Sequence, residues 1–232
     1  MKKALFTLAL VAASFSSFAA VAQQRVATPA STTQAEAYTS MMAATIQDLM
    51  STGDPAKLKQ ADAKLERAAT VAPQDWLPRY YQAYARVITA FVSKEEDDVK
   101  DKYLDQAEAA LAQARKLGGE ESELLVVQAY IYQARLSISP MLRSMKYSKM
   151  VTETLAQAKK INVANPRIYL VQANNVYYTP SMFGGGADVA KPLFQEAKTR
   201  FTAFKPASVL APNWGERQVN GRLKSYETAS AN

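Results

Sequence analysis

The chain has 232 residues, 48% of them hydrophobic, with 28 basic and 21 acidic side chains and neither a histidine nor a cysteine. That composition excludes Ser-His-Asp and Cys-His catalysis, His- or Cys-based zinc and iron sites, and every disulfide. The net charge of +7 is a mild excess spread along the chain, whereas nucleic-acid binding wants basic residues gathered on one face with stacking aromatics. No nucleic acid is expected as a partner.

Met1-Lys2-Lys3 opens the chain with positive charge, Ala4 to Ala13 is apolar apart from Thr7, and Ala20-Val21-Ala22 offers small residues to a signal peptidase. That order reads as a secretory signal peptide over residues 1–22, cut between Ala22 and Gln23. The apolar run is too short to span a bilayer, which takes about 20 residues. The mature chain is therefore expected in the periplasm or secreted, without a transmembrane segment. Residues 23–36 are small, polar and aperiodic at their start, and read as a flexible leader. Residues 37–232 read as the folded domain.

From about Gln34 onward the chain is rich in Ala, Leu, Gln, Lys and Glu, which keep rotamer freedom in a helix and favour it. Breakers recur at Gly53-Asp54-Pro55, Pro73, Gly118-Gly119, Pro140, Asn165-Pro166, Pro180, Gly184-Gly185-Gly186, Pro206 and Pro212. The segments between them have helical length and predict an all-α chain of about nine helices. Leu65, Leu111 and Leu155 sit in similar contexts (LERAATV, LAQARKL, LAQAKKI), and each is followed 17 residues later by Gln-Ala, at Gln82, Gln128 and Gln172. A fourth half-unit follows at Phe194, in FQEAKTR. The offsets of 46, 44 and 39 residues mark an internal repeat.

Within each unit a small residue, a large apolar one four positions on and an alanine three after that share one helical stripe. They are Ala61/Leu65/Ala68, Ala107/Leu111/Ala114, Val151/Leu155/Ala158 and Ala190/Phe194/Ala197. Small residues admit a neighbouring helix and the large one fills the groove between turns. No single helix pair hides such a stripe, so stacked pairs with one continuous core are predicted. The stripe resembles the second helix of a tetratricopeptide repeat, with Pro73 and the alanines 83, 129 and 173 where that family places its proline and its small first-helix residue. The resemblance implies antiparallel helix hairpins stacked as a short solenoid. The first-helix tryptophan, leucine and tyrosine signature is absent and the spacing exceeds that family's 34 residues, so a HEAT-like array stays open. The segment 165–214 (NPRIYLVQ, TPSMFGGG, AKPLFQEAKTRF, LAPNWG) is similar to the repeat subunit that accompanies TRAP-type transporters, which implies ligand or partner binding beside a transporter.

Excess length falls between first and second helices, in 92–100 (VSKEEDDVK), 137–146 (SISPMLRSMK) and 177–186 (YYTPSMFGGG). Such turns emerge along one edge of a solenoid, where insertions build binding faces. The last two carry exposed-looking apolar and aromatic residues, and Met141, Leu142, Arg143, Tyr177, Tyr178, Pro180, Phe183, Gly184, Gly185 and Gly186 are the candidate partner- or ligand-binding residues. Against this, the segments cap the solenoid core or lengthen the flanking helices. The glycines either cradle an anion through consecutive N–H groups or form a tight turn that tucks Phe183 under the next helix. Asp97, Asp101 and Asp105 share a helical face, but Lys94 and Lys102 compete for such carboxylates, and a solvated helix start is expected rather than a calcium site. Tyr80, Tyr81, Tyr84, Tyr130 and Tyr132 read as core or groove lining, and Trp76 and Trp214 as corner pins.

No catalytic or metal-ligating constellation emerges and no cofactor is expected. The function expected is a non-enzymatic exported adaptor that binds an envelope protein or peptide. The alternative is a periplasmic small-ligand-binding subunit working with a transporter, its pocket lined by tyrosines and closed by residues 177–186.

Overall fold

A computed structural model describes residues 29–230. The proposed signal peptide and cleavage site, and residues 23–28 of the leader, lie outside the described residues. Nine α-helices are present among those described: α1 Pro29–Ser51, α2 Pro55–Val71, α3 Leu77–Val92, α4 Asp97–Lys116, α5 Glu121–Ile138, α6 Pro140–Ile161, α7 Pro166–Tyr178, α8 Ala187–Ala203 and α9 Glu216–Ser230, with a 3₁₀ turn at Ser181–Phe183. None of them is long and apolar enough to cross a membrane. Helix α1 begins at Pro29, so residues 29–36, read as leader, belong to a helix.

The helix starts follow local chemistry. Asp54 accepts from the Ala56 amide at 2.9 Å ahead of Pro55, and Asn165 accepts from the Arg167 amide at 3.1 Å ahead of Pro166. Each side chain satisfies one orphan donor, while proline supplies the φ angle the first turn needs. Asp97 and Asp98 lie in the first turn of α4 and Arg115 and Lys116 in its last, both favourable to the helix dipole. Pro140 likewise opens α6. The segment 137–146 is therefore not a loop: only Ser139 separates α5 from α6, and the inserted residues lengthen the helices.

The predicted stripes form the core. Leu65, Leu111 and Phe194 are fully buried and Leu155 nearly so, and their small partners are closed off with them. Consecutive helices pack as antiparallel neighbours, and the odd-numbered ones also pack on one another, α1 on α3, α3 on α5 and α5 on α7. Two layers result, with α3, α5 and α7 lining the inner one. A recurrent polar contact accompanies the repeat: Gln82 donates to Asp62 at 3.0 Å and Gln128 to Glu108 at 3.1 Å, across equivalent positions of adjacent helices. Gln172 meets Thr152 rather than an acid at the matching place in sequence and is exposed.

After α8 the chain does not extend the array but folds back along the inner layer. Tyr81 donates to the Leu210 carbonyl at 3.0 Å, and Trp214 donates through Nε1 to the Tyr80 hydroxyl at 2.8 Å. Gly215, at φ 111°, passes so close to Leu170 and Phe201 that a Cβ would lie 2.7 and 2.8 Å from them. A side chain is excluded there both by conformation and by space. The chain then enters α9, which packs on α8 and buries Val219.

Candidate functional site

The edge where odd helices turn into even ones carries the largest exposed apolar side chains of the described residues. Met141, Leu142 and Met145 are 96%, 88% and 93% exposed, and Tyr178, Met182 and Phe183 are 71%, 81% and 72% exposed. Neither group caps the core, and Phe183 is not tucked under α8. Contiguous exposed apolar side chains are uncommon on a free surface, and methionine and aromatic side chains are the types that adapt to irregular partners.

The second group rests on a tightly specified turn. The Phe183 amide donates to Pro180, the Gly184 amide to Ser181, the Gly185 amide to Pro180 and the Gly186 amide to Val176, at 2.9 to 3.3 Å. All three glycine amides are thus taken by backbone carbonyls, and the anion cradle is ruled out for this turn by its own hydrogen bonding. The glycines are needed for geometry instead. Gly184 and Gly186 adopt φ of 80° and 109°, and a Cβ on Gly185 would collide with the Thr179 carbonyl. Pro180 and the glycines hold Met182 and Phe183 outward.

Tyr177 and Tyr178 are brought together with a residue the sequence reading missed. The Arg222 guanidinium of α9 lies over the Tyr177 ring, 3.9 Å from its centroid, and donates to the Tyr178 hydroxyl at 3.0 Å. Tyr177 also meets Phe194 and Tyr226 edge-on, at 6.2 and 6.5 Å. Further along the inner layer Tyr130 stacks on Trp214 at 5.7 Å and 6° and meets Phe91 at 5.1 Å. Gln218 bridges there, donating to Tyr84 at 3.4 Å and accepting from Tyr130 at 3.5 Å. Burial pushes the Tyr84 and Tyr130 phenols well above their ordinary range, so both stay neutral donors near neutral pH. Alongside, α8 and α9 flank an open cleft of about 580 Å³ lined by Lys191, Lys198, Leu223 and Tyr226, with the Lys191 ammonium 5.6 Å from the Tyr226 ring centre.

Other candidates serve the scaffold. Arg143 does not face outward: it donates twice to Asp101, at 2.6 and 2.8 Å, and Arg135 donates to Asp101, Asp105 and Glu108. The acidic face of α4 is occupied by arginines. The Arg143 guanidinium holds the Asp101 carboxyl below its ordinary range. Trp76 caps the start of α3 edge-on to Tyr80, and Tyr80, Tyr81, Tyr84 and Tyr130 are buried while Tyr132 is half-buried. Arg222 lies beyond the last repeat unit, so no periodicity announced it. The available sign was a cation and an aromatic four apart, Arg222 and Tyr226, on an otherwise polar helix.

Stacked helix pairs with apolar side chains presented along one edge define an all-α helical-repeat fold. No family model matches the chain, and no curated protein matches it. Among solved structures, the HusA haemophore from Porphyromonas gingivalis is 34% identical, with a TM-score of 0.71, over 84% of this chain and 93% of that one. The chain belongs to the family of that haemophore. The neighbour is a binding protein rather than an enzyme.

Proposed function

We propose that this protein is an exported carrier that binds a flat, largely apolar tetrapyrrole of the haem class at the edge formed by Tyr177, Tyr178, Met182 and Phe183. The observation that carries the reading is the 34% identity to a haemophore across nearly the whole of both chains. The chemistry of the edge supports it. With no histidine or cysteine in the chain, the affinity rests chiefly on covering the macrocycle faces. A ligand that buries roughly 400 Å² of apolar surface gains about 10 kcal/mol at 25 cal/mol per Å². Loss of translational and rotational freedom offsets at least about 4 kcal/mol of this, so apolar contact alone leaves about 6 kcal/mol or less, an affinity of tens of micromolar or weaker. Aromatic and methionine side chains supply such contact with little conformational cost.

The test is titration of the mature protein with haem, read by the absorbance band of the bound pigment and by tryptophan quenching. A saturable 1:1 or 1:2 complex is expected, with the Met182→Ala/Phe183→Ala double variant weakened about tenfold. Absence of saturable binding overturns the reading. The adaptor expected from the sequence retains one observation of its own, the exposed Met141, Leu142 and Met145 at the start of α6. A crosslinked envelope protein lost on substitution of those three by serine would support that reading for the start of α6.

A further inference from the structure

We infer that Arg222 is the counter-charge for a carboxylate on the rim of the bound ligand, held in place by Tyr177 and Tyr178; the inference rests on the tetrapyrrole reading above. Seven of the described arginines are engaged by carboxylates: Arg79, Arg86 and Arg115, Arg135 and Arg143 on α4's acidic face, and Arg167 and Arg200. Arg222 has no ion-pair partner among the described residues, yet it is fixed in position. One face of its guanidinium is stacked on Tyr177 and one N–H is given to the Tyr178 hydroxyl. An arginine without a carboxylate is ordinarily a mobile surface side chain with high rotamer entropy. Here that entropy is already restricted, and the remaining N–H donors of a half-buried fork stay available.

The location matches an amphipathic plate. Tyr178 ends α7 just before the turn that presents Met182 and Phe183, so a flat ligand spanning those side chains and Tyr178 brings its rim to Arg222. Haem-class tetrapyrroles carry two carboxylates on one rim. A planar guanidinium meets a carboxylate through two parallel hydrogen bonds, an arrangement an ammonium cannot make. The second carboxylate has a cation within the same aromatic group: Lys191, over Tyr226, and Tyr226 in turn edge-on to Tyr177. Among the described residues Lys191 also lacks an ion pair.

The competing account is that Arg222 only pins α9 to α7. Protoporphyrin IX and its dimethyl ester distinguish the two, because the ester keeps the macrocycle and removes both charges. For the full mature wild-type chain, the acid is expected to bind about tenfold more tightly than the ester. Arg222→Gln should abolish that preference by weakening the acid about tenfold and leaving the ester unchanged, while Arg222→Lys recovers part of it. Equal affinity for acid and ester in the wild type, a comparison that needs no variant, overturns the inference and leaves the tetrapyrrole reading standing. So does an Arg222→Gln variant that weakens both ligands equally. If the wild type binds neither compound, both readings fall.

Discussion

Arg167 and Arg222 are each laid over an aromatic ring, and they have opposite surroundings. Arg167 lies over Phe204 at 4.6 Å and is almost fully buried; it pairs with Glu123, which also accepts from Asn165 at 2.9 Å and from the Tyr80 hydroxyl at 3.1 Å. Through Tyr80 the network reaches Trp214, and so fastens the returning C-terminal segment to the inner layer. Arg222 lies over Tyr177 at the solvent edge, with no carboxylate paired to it among the described residues. The first arrangement is closed: nearly every donor has its acceptor, and Arg167 Nη1 alone lacks one, beside a π face that takes part of its charge. The second is open. A buried cation must be matched within the protein because its desolvation is costly, whereas a half-exposed one can wait for a partner from outside. The difference separates what holds the array together from what the array presents.

The largest break is expected in the closed network. Arg167→Met leaves Glu123 as a buried, unneutralised carboxylate and should cost about 3–5 kcal/mol, a fall in Tm of roughly 6–20 °C for a chain of this size. Thermal unfolding followed by circular dichroism measures it. The same change should loosen Trp214 and red-shift its emission before global unfolding. Trp214→Phe sharpens the point, since it removes the Nε1–H donor to Tyr80 while keeping most of the ring. A loss of about 1–3 kcal/mol is expected, from the buried hydrogen bond that the Tyr80 hydroxyl no longer accepts and from the smaller ring. An effect of Trp214→Phe larger than that of Arg167→Met would mean the segment is held by ring packing and not by the ion pair.

These two regions were unequally legible in the sequence. The stripe around Leu65, Leu111, Leu155 and Phe194 was readable because repetition multiplied a weak local signal, and burial of all four follows from it. The exposed edge was readable as well, since length variation confined to one class of turn is a topological statement. What failed was local. Proline at 140 reads as a breaker, yet it opens α6, because a missing N–H costs nothing in a first turn. Arg143 looked outward within an apolar run, and its partner Asp101 lies 42 residues away. Arg222 and Tyr178 are 44 apart, joined by a chain reversal that no periodicity encodes. The triple glycine showed a real constraint, but whether its amides pointed to a ligand or to their own turn was a matter of φ angles.

A weaker effect tests the boundary between scaffold and edge. Asp101 connects α4 to the end of α5 through Arg135 and to the start of α6 through Arg143, one residue after Leu142. Hydrogen bonding to Arg143, with the charges of both arginines, holds its carboxyl below the ordinary value of 3.8 in the folded protein. A carboxyl depressed by folding contributes stability that is complete above its unfolded pKa and disappears as pH falls through the folded one. The clamp should therefore be intact at neutral pH and released only below about pH 4. Asp101→Asn should cost about 1 kcal/mol at pH 7, and the wild-type and variant unfolding curves should converge in acid. A difference that persists at pH 2 would assign the effect to packing and not to charge.

The smallest change in stability is expected at Arg222, and its smallness is what gives the comparison its force. Arg222→Gln removes a cation–π contact and one hydrogen bond to an exposed hydroxyl, together about 1 kcal/mol or less. No buried charge is left behind, because Arg222 neutralises no carboxylate among the described residues, and Val219 and the Gly215 approach still hold α9 in place. A Tm within roughly 4 °C of wild type is therefore expected, measured by differential scanning fluorimetry on the mature protein. A loss comparable to that of Arg167→Met would make Arg222 part of the closed scaffold. A near-neutral result places Arg222 outside the scaffold, as the counter-charge reading requires.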